Sequence, residues 1–124
     1  MKNEDTDAPR DLKIRTKKFA LRVIRMYSAL PHTTEAQVLG KQVLRSGTSV
    51  GANYREAQRA RSKAEFVAKL GDCLKELDET AYWFELLMDS GIVVPAKLAN
   101  LVSEGDQLLA IFTTISKKAK STPS

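Results

Sequence analysis

Four long stretches of this chain carry apolar side chains at steps of three or four residues, the spacing of one face of an α-helix. In the third stretch the apolar residues follow one another without a gap: Phe66, Leu70, Cys73, Leu77, Ala81, Phe84 and Met88. The breaks between stretches are short, as at Pro31 and His32. Such stretches can bury their apolar faces against one another, so we predict an all-α, up-down-up-down antiparallel four-helix bundle.

Capping signals predict where the helices begin and end. Thr34 and Ser62 each open a capping-box pattern, so they mark the starts of the second and third helices. Gly91 suits the position just after a helix, and Pro95 suits the first turn of the next one. No segment has the pattern of a strand. The predicted helices cover residues 9–30, 34–60, 62–90 and 95–118.

The length and composition fit one small helical domain. A chain of 124 residues with 6% aromatics supports a single core. We therefore treat 1–124 as one domain whose polar ends, 1–8 and 119–124, are flexible tails. Cys73 is the only cysteine, which excludes an internal disulfide and fits a reducing, cytoplasmic location. No apolar run approaches the roughly 20 residues of a membrane span, so we expect no membrane contact.

The run QVLRSGTSVGANYREA, residues 42–57, places small side chains inside the second helix. Glycine costs about 1 kcal/mol relative to alanine in a helix interior, so a tertiary contact should offset it. Gly47 and Gly51 lie four residues apart on one helix face, where a neighbouring backbone can approach closely. We predict tight packing there and a clash when Gly51 is replaced by leucine.

Two further features of these helices have a structural and a binding interpretation. Arg45 lies beside the small-residue run, and an ion pair with Glu76 or Glu79 that fixes helix register is favoured over a surface phosphate contact. Tyr82 and Trp83 flank a core position. Packing within the bundle or between subunits is favoured for them over a stacking platform for bases.

The third and fourth helices carry a second apolar flank. Its residues are Val67, Leu74, Leu87, Val102 and Leu109. Apolar stripes wider than a single helix–helix contact leave apolar surface outside the core, and self-association is the simplest use for that surface. The alternative is a wide core stripe with no role in association.

Charge is distributed unevenly along the chain, whose formal net charge is +5. Residues 10–25 hold seven basic side chains against one acid, whereas residues 76–106 hold seven acids against Lys97. Basic clusters of this kind suit a phosphate backbone bound without base specificity. The candidate nucleic-acid contacts are Lys17, Lys18, Arg22, Arg25, Arg55, Arg59, Arg61 and Lys63. The alternative is that the first helix lies beside the acidic third helix and their charges pair within the bundle.

The residues needed for common enzymatic chemistry are missing from the pattern. His32 is the only histidine and lies in a predicted turn, so the Glu-x-x-His pairs of a di-iron site are absent and no Ser-His or Cys-His pair is indicated beyond coincidence. The carboxylates of KELDETAYWFE fit a solvated helix face better than a metal site. We therefore expect no catalytic residues, no cofactor and no metal.

Several of these segments also resemble a known family. RTKKFAL, QVLRSGTSVGANYREA, ARSKAEF and LKELDETAYWFELL are similar to the 23S rRNA intervening-sequence protein family, which comprises small bacterial four-helix bundle proteins. The resemblance runs from about Asp11 to the region of Trp83. The fourth helix matches only as a generic apolar repeat.

The resemblance implies a closed four-helix bundle and supplies no established enzymatic activity. Family members, and the related accessory proteins of diversity-generating retroelements, form pentameric rings with basic surfaces. The resemblance therefore implies a homopentamer, with RNA, DNA or a nucleic-acid enzyme such as a reverse transcriptase as candidate partners. The sequence thus predicts a non-catalytic homo-oligomer that binds nucleic acid or a nucleoprotein through basic surface. The alternative is a structural or protein-interaction scaffold without a nucleic-acid role.

Overall fold

Four antiparallel α-helices make up the computed structural model, which describes residues 4–123 and the side chains from Asp11 onward. The helices are α1 (Glu4–Ser28), α2 (Thr34–Gln58), α3 (Lys63–Asp89) and α4 (Pro95–Ser121). Residues 4–123 contain no strand. The predicted fold class, an all-α four-helix bundle, is confirmed.

The two outer helix ends differ from those predicted. α1 begins at Glu4 rather than near residue 9, and α4 continues to Ser121 rather than 118. Polar composition alone does not end a helix, because lysine and glutamate have high helix propensity. Residues 1–3 and 124 lie outside the described residues, and the flexibility of both tails stays a prediction.

The inner helix ends follow the capping signals with one correction. The N-cap of α2 is Thr33 and not Thr34: the Thr33 hydroxyl accepts the backbone N–H three residues later at 3.3 Å. The Ser62 hydroxyl caps α3 as predicted and accepts the Glu65 N–H at 3.1 Å. Gly91 follows α3 with a φ of 79°, a conformation that glycine adopts without a steric penalty.

The helices pack in a closed cycle. α1 packs on α2, α2 on α3, α3 on α4, and α4 returns to α1 through the loosest of the four contacts. Within the described chain no Cα atom of α1 lies within 8 Å of a Cα atom of α3, so the two helices occupy diagonal corners of the bundle. The alternative in which the first helix pairs its charges with the third helix inside one chain is therefore wrong. Phe19, Phe84 and Phe112 anchor the core at no more than 1% exposure.

Small residues bring α2 close to α1. A Cβ atom added to Gly47 would lie 2.9 Å from Val23 Cγ2. One added to Gly51 would lie 3.1 Å from Thr16 Oγ1. The tight approach expected at both glycines is present, and the neighbouring element is α1.

A buried polar layer joins α2 to α3. The Thr80 hydroxyl lies 2.7 Å from both the Ser46 hydroxyl and the Glu76 carbonyl oxygen. One turn further along the interface, the Cys73 thiol donates to the Val50 carbonyl oxygen at 3.6 Å. Burial raises the pKa of Cys73 to about 12, so this thiol stays protonated.

The second apolar flank of α3 and α4 contributes little free surface, so the predicted reason for association is wrong. Leu87 is fully buried, and the others are half-buried: Val67, Leu74, Val102 and Leu109. Leu74, Val102 and Leu109 pack against the core where α3 and α4 lie along each other. α1 instead exposes three large apolar side chains, Ile14, Leu21 and Ile24, at 47, 41 and 41%.

Candidate nucleic-acid interface

Basic side chains gather at one end of the bundle, which we call the basic end. The up-down topology brings the turn between α2 and α3 to the same end as the close of α4. The basic end comprises Arg55, Arg59, Arg61, Lys63, Lys117, Lys118 and Lys120. The first four belong to the predicted set, and the three α4 lysines do not.

Direct contacts join the two halves of the basic end. The Lys63 ammonium donates to the backbone carbonyl oxygens of Lys120, at 3.5 Å, and of Thr122. Lys63 and Lys118 also line one groove of about 450 Å³, together with Phe66. The turn after α2 and the last turn of α4 therefore form one surface.

Two carboxylates near the basic end, Glu56 and Glu65, are already engaged. Glu56 pairs with Lys69 at 2.6 Å, and this hydrogen bond lowers the pKa of Glu56. Glu65 accepts the backbone N–H of Arg61 at 3.1 Å. Arg59 adds a weaker attraction to Glu56. Among the side chains from Asp11 to Pro123, no carboxylate lies within 4.0 Å of any cation of the basic end.

The four predicted contacts on α1 lie at different distances from the basic end along the bundle axis. Lys17, Lys18 and Arg25 are exposed, and Arg22 is half-buried. Since Thr16 lies opposite Gly51, the position opposite Arg55 is near residue 12. At 1.5 Å per residue, Arg25 is then about 20 Å from Arg55 along the bundle axis. By the same measure Lys17 and Lys18 are only about 8 to 9 Å from Arg55 along the axis, so the predicted residues extend from near the basic end toward the other half of the bundle.

A smaller basic groove lies between α1 and α4 in the opposite half of the bundle. Arg22, Arg25 and Lys97 line it with Asn100, and its volume is about 290 Å³. Arg22 is not free of acids, because it contributes to lowering the pKa of Glu104. This groove groups two predicted α1 cations, Arg22 and Arg25, with a cation of α4.

Arg45 joins α2 to α3 through two acids. Its guanidinium lies 3.2 Å from Glu76 and 2.9 Å from Glu79, while 49% of the Arg45 side chain stays exposed. The hydrogen bond from Arg45 lowers the pKa of Glu79. The pKa of Glu76 is raised, because burial outweighs its attraction to Arg45. The geometry is that of an ion pair between helices at the surface.

Tyr82 and Trp83 have different environments. Tyr82 is 53% exposed, whereas Trp83 packs against the core. Their ring centroids are 5.2 Å apart at a tilt of 56°. The indole N–H of Trp83 is buried without a hydrogen-bond acceptor among the described residues. Of the two rings, Tyr82 is the one open to solvent.

One ion pair has no counterpart among the sequence predictions. Arg15 of α1 holds Glu104 of α4 through two hydrogen bonds of 2.8 and 2.7 Å and also contacts Gln107 at 2.8 Å. The hydrogen bond from Arg15 lowers the pKa of Glu104. The two residues are 89 positions apart, so only the register of α1 against α4 reveals the pair.

The described residues offer no metal site, since no cluster of three or more His, Cys, Asp or Glu side chains forms there. None of the helices within residues 4–123 combines the length and apolarity needed to cross a bilayer. What this surface offers chemically is a set of solvated cations at one end of a rigid bundle.

Comparisons with known proteins agree with this architecture. The profile of the 23S rRNA-intervening sequence proteins matches residues 10–114, which include most of the fourth helix. A crystal structure of a protein of unknown function from the S23 ribosomal protein family of Bacteroides thetaiotaomicron has 36% sequence identity and a TM-score of 0.83. The alignment covers 88% of this chain and 97% of that one. No curated protein matches the chain. The chain belongs to the 23S rRNA-intervening sequence protein family.

Proposed function

We propose that the protein is a non-catalytic, homo-oligomeric cytoplasmic module that binds the phosphate backbone of nucleic acid through its basic end. The observation that carries the proposal is the gathering of seven cations from α2, α3 and α4 at one end without a paired carboxylate among the described side chains. Solvated lysine and arginine side chains in such an array bind phosphates with little sequence preference.

The scaffold alternative requires the basic residues to pair with acids of the same chain. Three basic residues do so in the described chain, namely Arg15, Arg45 and Lys69. Among the side chains from Asp11 to Pro123 the cations of the basic end have no such partners, and α1 is diagonal to the acidic α3. Unpaired cations favour an acidic partner over a self-neutralised scaffold.

Self-association would strengthen weak binding at each basic end. A homopentamer, the number implied by the family resemblance, would present five basic ends to one strand. Each additional engaged end raises the overall affinity, provided that one strand reaches more than one subunit.

The test is fluorescence anisotropy with labelled RNA, duplex DNA and single-stranded DNA over a salt series. Arg55→Ala/Arg59→Ala/Arg61→Ala should weaken duplex binding by tenfold or more, on the order of the loss of three phosphate contacts. The log–log salt slope should flatten by about 2 to 3, since each contact contributes about 0.9. These side chains are exposed, so the helical content should not change.

A matched control removes three exposed lysines outside the basic end, with Lys41→Ala/Lys75→Ala/Lys97→Ala. This control lowers the net charge by the same amount as the basic-end variant, and it should retain most of the affinity for nucleic acid. Equal losses in both triple variants would indicate attraction by net charge alone and would reject the basic end as the site. Undetectable binding at low salt would favour the scaffold function.

A further inference from the structure

The outer face of α1 is a strip of alternating apolar and basic residues. Ile14, Leu21 and Ile24 are spaced by seven and three residues, so they share one helix face. Lys17, Lys18 and Arg25 are exposed on the same face, and no described carboxylate pairs with them. Asp11, at the start of this face, is its one acid in the described part of α1. We define the α1 strip as the three apolar and three basic residues: Ile14, Lys17, Lys18, Leu21, Ile24 and Arg25.

The outer face of α3 has the opposite charge. Asp78, Tyr82, Glu85 and Asp89 follow one another at steps of four, three and four residues, and all are exposed. Tyr82 is the large ring among them, with 53% of its surface open. Lys75, one turn earlier, is the nearest exposed cation on this face. We call the four residues from Asp78 to Asp89 the α3 strip.

The two strips match in length and lie on opposite sides of the molecule. Residues 14–25 and residues 78–89 each span about 17 Å of helix at 1.5 Å per residue. Because α1 and α3 occupy diagonal corners, the strips cannot meet within one chain. They can meet only between copies, where the basic strip of one chain faces the acidic strip of the next.

We propose that the α1 strip of one copy docks on the α3 strip of a second copy of this chain. The proposal rests on the homo-oligomer of the proposed function and names its interface. Ile14, Leu21 and Ile24 would cover Tyr82, while the flanking charges pair across the contact. Complementary charges select this partner surface and its register, and burial of the apolar side chains stabilises the contact.

Two consequences follow for the assembly. The contact joins two different surfaces of one chain, so it is heterologous and builds a ring when its rotation closes. Lys17, Lys18 and Arg25 are then covered by a subunit rather than by nucleic acid. The basic end remains the nucleic-acid surface, because the turn between α2 and α3 is outside both strips.

Charge reversal tests the interface on the full chain by light scattering over a concentration series. Lys17→Glu/Lys18→Glu/Arg25→Glu and Asp78→Lys/Glu85→Lys/Asp89→Lys should each weaken self-association by about tenfold or more. Each should shift the mass toward the 13.8 kDa chain. A variant with both reversals should recover the wild-type mass. Equimolar mixing of the two single-strip variants should also produce a heavier species, since each supplies the strip that the other lacks.

A second measurement uses Trp83, which is the only tryptophan and is adjacent to Tyr82. Its emission should differ between the assembled wild type and each reversed variant, and should return in the variant with both reversals. The helical content of every variant checks that the fold is unchanged.

Three outcomes would overturn the proposal, and they separate it from the proposed function. An oligomer that survives both single-strip reversals would place the interface elsewhere and leave the homo-oligomer intact. A monomeric wild type at high concentration would remove the homo-oligomer itself. Loss of RNA binding in the α1 variant with an unchanged mass would make the α1 strip a nucleic-acid surface instead.

Discussion

α1 packs against α2 and α4 in opposite ways, and we call each of these two helix–helix contacts a seam. Against α2 it meets a line of small residues, where an added Cβ at Gly47 or Gly51 would come within 2.9 to 3.1 Å of α1 side chains. Against α4 it leaves an apolar groove of about 510 Å³, lined by Leu12 and Ile111 among others. The Arg15–Glu104 pair bridges this second, more open seam.

The two seams fix the register of α1 in different ways. Close packing at the α1–α2 seam fixes the helix register through shape, since dense interiors tolerate no extra atoms. At the α1–α4 seam the register depends on one charged pair at the edge of a groove. The first seam should therefore be sensitive to added volume, and the second to pH and charge.

The largest expected effect is at the tight seam. Gly51→Leu should destabilise the protein by about 3 kcal/mol, because the new side chain meets Thr16 and the α1 backbone behind it. Denaturant unfolding at fixed chain concentration measures this change.

Ala110→Leu is the matched enlargement at the open seam, since Ala110 lines the α1–α4 groove. It should change the unfolding free energy by less than about 0.5 kcal/mol, as most exposed substitutions do. Similar losses for both variants would show that the two seams are equally tight and would remove the comparison.

A smaller effect is expected from the ion pair of the open seam. Glu104→Gln should lower stability at pH 7 by about 1 to 2 kcal/mol, the range for a partly exposed charged hydrogen bond. Because Arg15 lowers the pKa of Glu104 in the folded state, this contribution is present above the unfolded pKa. It is lost as pH falls through the folded pKa, so the variant should lose less stability on acidification than the wild type.

Glu76→Gln supplies the control for this pH dependence. The pKa of Glu76 is raised by burial, so protonation of Glu76 favours the folded state as pH falls. In the Glu76→Gln variant, the loss of stability on acidification should be at least as steep as in the wild type. A Glu104 variant with an unaltered pH profile would mean that Arg15 adds nothing to the seam.

One substitution of a glycine should have the opposite sign. Gly71 is on α3 with no atom within 4 Å of an added Cβ, so Gly71→Ala should stabilise the helix by about 1 kcal/mol. Gly47→Ala, whose Cβ would lie 2.9 Å from Val23, should not stabilise it. Thermal melts of the two variants decide whether contact or helix propensity dominates at each glycine.

The sequence predicted the helices well because their apolar period is local information. Four segments, their order and the close approach at Gly47 and Gly51 all follow from spacing along one helix. Gly40 was missed, although it precedes Gly47 by seven residues and faces α1, with its added Cβ 2.5 Å from Leu30 Cδ1. That spacing was the signal that could have found it.

The surfaces were harder to predict because they depend on which helices adjoin. Lys120 was assigned to a flexible tail, and Lys117 and Lys118 were given no role, yet the predicted topology already places the close of α4 beside the turn after α2. For the apolar flank of α3 and α4 the sequence left free surface and a wide core stripe as alternatives, and the packing of Leu74, Leu87, Val102 and Leu109 supports the core stripe. The Arg15–Glu104 pair needed the register of α1 on α4, which spacing within one helix does not contain.

Because the thiol of Cys73 is buried, it reacts slowly with oxidants. A sulfur atom with no exposed surface and a pKa of about 12 offers almost no thiolate to peroxides or to another chain. Mixed disulfides and cross-links between copies therefore require α2 and α3 to separate first. Oxidants would therefore modify Cys73 in unfolded molecules and leave it unmodified in folded ones.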